Sequence, residues 1–167
     1  MAEGQHLADT LVAFFCYTDH YTLAPFIRAV AGLDAGQAAA VPAPGFLCVW
    51  AQVNHVRFWH EANLCQLRAQ PVDYEALGAN ASSGGWPPPG QAGDEAAWQA
   101  AVSRTVQLNQ EVAELVEGLT DEELAQAVVA GYVTRWQIVQ SLIAHNAYHT
   151  CAIIHARRLL GLWPPGE

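Results

Sequence analysis

Two histidines, His145 and His149, stand four residues apart in the apolar run "SLIAHNAYHTCAII" at 141–154. A helix carries residues four apart on one face, so the two imidazoles converge on one point. The same face carries Ile138, Leu142, Ala152 and Ala156, a stripe that belongs against a core. Burying a neutral polar group costs about 1–3 kcal/mol unless its atoms find partners. One divalent metal ion satisfies both rings at once, and this helical His pair recurs in zinc and nickel sites. Two hydrogen-bonded core histidines give the same pattern, so the pair alone leaves both readings open.

His55 narrows the choice. It lies on a second helical stripe with Cys48, Ala51, Phe58, Ala62 and Cys65, and the two alanines leave room beside it. If the two segments are neighbours, His55, His145 and His149 meet in the interior. Three histidines with a fourth position open are the arrangement of a catalytic metal rather than a closed structural one. Such a metal lowers the pKa of bound water, acts as a Lewis acid and deprotonates a bound thiol. The remaining histidines fit less well. His60 is five past His55 and is expected on the outer face beside Arg57 and Glu61. His155 leaves the stripe, and His6 is close to the chain end. His20, in "YTDHYT", could face the interior near the metal, although a polar rim residue is the plainer reading. No general base stands out: Tyr148 lies off the ligand face, and Asp19 and His20 are weak candidates. The four cysteines, at 16, 48, 65 and 151, form no C-x-x-C pair and are expected as free thiols outside the ligand set.

Four long periodic segments must position these residues. The first spans about 5–33, with Leu7, Leu11, Phe14, Phe15, Tyr21, Phe26, Ile27 and Val30 near one face and a kink or break at Pro25. The second follows "VPAPG" and ends near Ala69. The third spans about 94–119 on Trp98, Ala101, Thr105, Leu108, Val112, Leu115 and Leu119. The fourth spans about 134–160, opened by a capping box in "TRWQ" and stopped by Gly161 and two prolines. "LTDEELAQAV" predicts a short capped helix before it. "YEALGANASSGGWPPPGQAGD" is a long crossover between the second and third helices, and no stretch predicts a strand. The expectation is an all-α four-helix bundle, one domain over 1–167. Trp86 in the crossover and Trp163 near the end have the look of exposed aromatics that could serve an interface.

Composition bounds the partners. A content of 52% hydrophobic residues predicts a packed core, and a net charge of -9 makes the chain a poor ligand for nucleic acid or an anionic membrane. No apolar run approaches the roughly 18 residues of a membrane span. "MAEGQHLADT" lacks the basic flank and apolar core of a secretory signal, so a soluble cytoplasmic protein is expected.

The segments "NHVRFWHEANL" and "LIAHNAYHTCAI" together resemble the DinB-like (DinB/YfiT-like) metalloenzyme family. "FFCYTDHYTLAPFIRAVAGL" is similar to that family's opening helix and "ARRLLGLWPP" to its usual end, so the resemblance covers nearly the whole chain. It implies an up-down-down-up four-helix bundle. It also implies a metal held by His55, His145 and His149, zinc or nickel, often in a homodimer. Relatives transfer thiol cofactors such as bacillithiol or mycothiol, isomerise thiol adducts or act as hydrolases. Family members often continue after the last ligand with a basic residue and Gly-Gln; here Thr150, Cys151 and Ala152 follow. The expected function is therefore a divalent-metal-dependent transferase or hydrolase acting on a small molecule, with a low-molecular-weight thiol as candidate partner. The alternatives are a non-catalytic metal-binding or stress-related bundle that acts through protein contacts, and a bundle that binds no metal.

Overall fold

The computed structural model describes residues 3–16, 24–80, 82 and 84–164. These are mostly helical. Four long helices dominate: α1 (Glu3–Cys16), α4 (Val49–Leu67), α5 (Glu95–Glu117) and α7 (Arg135–Leu159). Three short ones, α2 (Phe26–Val30), α3 (Ala35–Ala39) and α6 (Asp121–Ala125), fill the connections. Helices α1 and α4 each pack against both α5 and α7.

The helix ends follow local chemistry. Thr134 and Gln137 form the capping box expected at the start of α7, and Thr120 with Glu123 does the same for α6. At the far end of α7, Leu162 N–H donates to Arg157 O at 2.8 Å and Gly161 N–H to Arg158 O at 3.1 Å. With Gly161 at φ +71°, this is a Schellman stop. Helix α3 was not expected from the sequence. Its signal was present: Asp34 and Gln37 close a capping box on each other.

The break expected at Pro25 is present: residues 24–25 are not helical, α2 begins after them, and Asp19, His20 and Tyr21 lie outside the described residues. One further expectation changes. A short antiparallel hairpin, β1 (Ala127–Val129) with β2 (Val133–Thr134), precedes α7 where no strand was expected. Its turn puts Ala130 and Gly131 at φ +49° and +74°, the positive pair that tight hairpins require.

The core has two apolar clusters. One gathers Phe15, Phe26, Trp50, Trp98 and Ile153; the other gathers Leu11, Leu64, Leu108, Val112 and Leu142. On α4, α5 and α7 polar residues stand at or beside the boundary between them in sequence: His60 on α4, Thr105 and Asn109 on α5, and His145, Asn146 and His149 on α7. These residues hold most of the candidate chemistry. No helix is long and apolar enough to cross a membrane among the described residues.

Candidate metal centre

Packing of α4 on α7 brings the three expected histidines together. One nitrogen from each of His55, His145 and His149 lies within 4.8 Å of the others. His55 Nε2 and His145 Nε2 are 3.1 Å apart. Two nitrogens bound tetrahedrally to one zinc at about 2.0–2.1 Å would stand about 3.3 Å apart. The ring centroids are 4.3 Å apart for His145 and His149 and 4.5 Å for His55 and His149.

Neighbouring acceptors fix two of the tautomers. His55 Nδ1–H donates to Gly85 O at 2.8 Å, and His149 Nδ1–H donates to Gln52 Oε1 at 2.6 Å. Both rings therefore offer a bare Nε2. His145 then has no arrangement that satisfies it with protein alone. If its Nε2–H donates to His55 Nε2, its buried Nδ1 is an acceptor with no donor, and that atom has no hydrogen-bond partner. A cation among the inward ring nitrogens, which lie within 4.8 Å of one another, is the partner that those lone pairs lack, so the residues fit a divalent metal.

The electrostatics agree. Burial first, then the charges of His149, His55 and His60, push the His145 pKa down to about 3. Burial and the charge of His55 push His149 down to about 4. Burial lowers His55 too, opposed by its bond to Gly85. All three rings stay neutral at ordinary pH, the state in which imidazole binds a metal.

The crossover between α4 and α5 is a component of the site, which its composition did not disclose. The half-buried Trp86 stacks flat on His55, with centroids 3.7 Å apart and planes 13° from parallel, and meets His149 edge-on at 5.7 Å. Trp59 Nε1–H donates to Gly84 O at 3.3 Å. Gly85 has φ +68°, and a Cβ there would fall on the Phe58 ring, so the loop closes on His55 only with glycine at this position. The available signal was a lone tryptophan between "GG" and "PPP", with no other large apolar or aromatic side chain except proline between Leu77 and Trp98.

The remaining candidates separate clearly. His155 and Cys151 are exposed, as the stripe required, and Tyr148 is 71% exposed, edge-on to His149. His20 lies outside the described residues. His60 is a correction: it is fully buried, not on the outer face. Helix α4 is enclosed on nearly every side by α5, α7, α3 and the crossover, so it has almost no outer face at that level. His60 Nδ1–H donates to Val56 O at 2.8 Å, and Nε2 accepts from Asn146 Nδ2 at 3.4 Å. Asn146 also donates to Asn109 Oδ1 at 3.3 Å, and Asn109 donates to Leu11 O at 3.2 Å. This network joins all four long helices.

Among protein families, residues 20–152, which contain all three clustered histidines, match the family described as the DinB superfamily. Comparison with curated proteins and with solved structures gave no match.

Proposed function

The chain belongs to the DinB superfamily, and on that premise we propose that it is a divalent-metal-dependent enzyme, a hydrolase or a thiol-dependent transferase acting on a small molecule. His55, His145 and His149 hold one ion, zinc or nickel. When bound, the ion supplies Lewis acidity and lowers the pKa of a coordinated water or thiol. The chain's own groups do the rest. Gly85 O and the Gln52 side chain keep the inward nitrogens of His55 and His149 unprotonated. Trp86 covers one face of His55 and restricts approach to the remaining sides. The up-down-down-up bundle of the family, one domain over the whole chain, a homodimer and a cytoplasmic location complete this reading.

The observation that carries it is the pair of fixed tautomers, which turn two bare nitrogens toward His145 so that one nitrogen from each of the three rings lies within 4.8 Å of the others. A core that only accommodated histidines would give each of those lone pairs a donor. The test begins with protein prepared without a nickel column. About one divalent ion per chain is expected, from a single three-histidine site. The cobalt-substituted protein should change its visible spectrum when small thiols are added. Bound metal whose spectrum ignores thiols, water substitutes and other small ligands favours the second reading, a non-catalytic metal-binding bundle. Absence of both metal and spectral response would overturn the proposal.

A further inference from the structure

A cleft of about 410 Å³ lies on another side of α4, between α4, α5 and residues 88–90 of the crossover. Trp50, Asn54, Arg57, Pro89, Ala97 and Arg104 line it. Arg57 is the anomaly. The chain has seven cations, all arginines. Arg28, Arg68 and Arg158 are exposed. Arg135 and Arg157 donate to backbone carbonyls, and Arg104 pairs with Glu61 at 3.3 Å and Glu111 at 2.7 Å. Arg57 is half-buried, and its Nε is buried without a hydrogen-bond partner. Its natural helical partner, Glu61 four residues on, is turned to Arg104 of α5 instead. Among the described residues, Arg57 is thus the arginine that is neither exposed nor hydrogen-bonded through its buried Nε, and it stands at the cleft wall.

We infer that this cleft is a binding site for a small organic monocarboxylate, with its carboxylate on Arg57 and its apolar body against Trp50, Pro89 and Ala97. Guanidinium and carboxylate match as a planar, two-bond pair. Arg104 already carries two carboxylates, so Arg57 is the one guanidinium of the cleft left to pair with a ligand, and a phosphate dianion would lack a second cation. Asn54 Nδ2 donates to Pro88 O at 2.7 Å and pins the loop that forms the far wall. Gly90 keeps that wall close: a Cβ there would fall on the Trp50 ring. The site is separate from the three histidines and does not depend on their holding a metal.

The test uses the full-length chain, benzoate as probe and benzamide as its neutral counterpart, followed by amide, indole and guanidinium nitrogen–proton spectra. Benzoate should shift the Arg57 Nε–H and Trp50 indole signals along a saturating curve. Benzamide should bind about tenfold more weakly or worse, because it loses a charge-assisted pair. Arg57→Met, which keeps the apolar stem, should lose benzoate affinity by a similar factor, and Arg57→Lys should lose less. The same shifts should appear in zinc-loaded protein and in His149→Ala. Equal binding of benzoate and benzamide, undiminished binding by Arg57→Met, or no saturation would each overturn the inference. So would shifts confined to the zinc-loaded chain, which would place the carboxylate on the metal.

Discussion

Helices α4 and α7 contribute to two buried histidine clusters that differ in one respect. In the cluster around His60, both ring nitrogens meet protein partners, Val56 O and Asn146 Nδ2, and the amides chain on through Asn109 to Leu11 O, with Asn146 Oδ1 alone left over. In the cluster around His55, His145 and His149, the protein satisfies the outward nitrogens of His55 and His149 and leaves the inward ones facing each other. The first arrangement holds helices together; the second prepares a place for something else. A buried histidine is therefore diagnosed by where its hydrogen bonds end, not by its burial.

Substitution should split the two clusters most sharply on metal occupancy. His55→Ala or His149→Ala should abolish stoichiometric binding, a loss beyond the roughly 10–100-fold typical of an outer partner. His60→Ala should retain the ion, as read by metal analysis after dialysis. Loss of metal in His60→Ala as complete as in His55→Ala would erase the distinction.

Stability should split them the other way. Removing the His60 ring strands Asn109 and Asn146 in the core and opens a cavity, at a cost of about 2–4 kcal/mol. Urea unfolding of chelated protein should show that loss for His60→Ala and a much smaller one for His149→Ala. A smaller effect on affinity is expected from Gln52→Leu, which frees the His149 tautomer. A weakening of about 10–100-fold with unchanged stoichiometry is the outcome sought by competition with a chromophoric chelator.

The smallest contrast is in pH. His145 and His149 have folded pKa values near 3 and 4, below the ordinary histidine value of 6.5. Depressed values mean the unfolded chain binds protons first. The chelated protein should therefore hold its full melting temperature above about pH 6.5 and lose it progressively as pH falls through about 4 and about 3. Burial lowers His60 as well, with the same sign. A melting temperature flat from pH 8 to pH 4 would contradict neutral burial in both clusters.

The triad was legible because its signal is periodic. His145 and His149 share a turn-by-turn stripe with Leu142 and Ala156, and His55 shares one with Ala51 and Phe58. His60 was not legible for the same reason: a stripe assumes one buried face, and α4 buries nearly its whole circumference. Its near-continuous apolar and aromatic run, "VWAQVNHVRFWHEANL", was the available warning. Trp86 was beyond reach because a loop without periodicity carries no information about what it touches. Gln52 and Gly85 O, which set the tautomers, are a polar side chain and a backbone atom that no spacing rule distinguishes.

The stack of Trp86 on His55 has an optical consequence. An indole 3.7 Å from a ring that would bind the metal is close enough for its excited state to be quenched by a paramagnetic ion. Trp50 and Trp98, packed on each other in the core, supply emission that does not touch the three histidines and serves as an internal standard. The chain therefore carries its own indicator. Titration with cobalt or nickel would be visible as partial loss of tryptophan fluorescence, and the amplitude of that loss would shrink in Trp86→Phe to the part contributed by Trp59, edge-on to His55 at 6.4 Å, while the binding persisted.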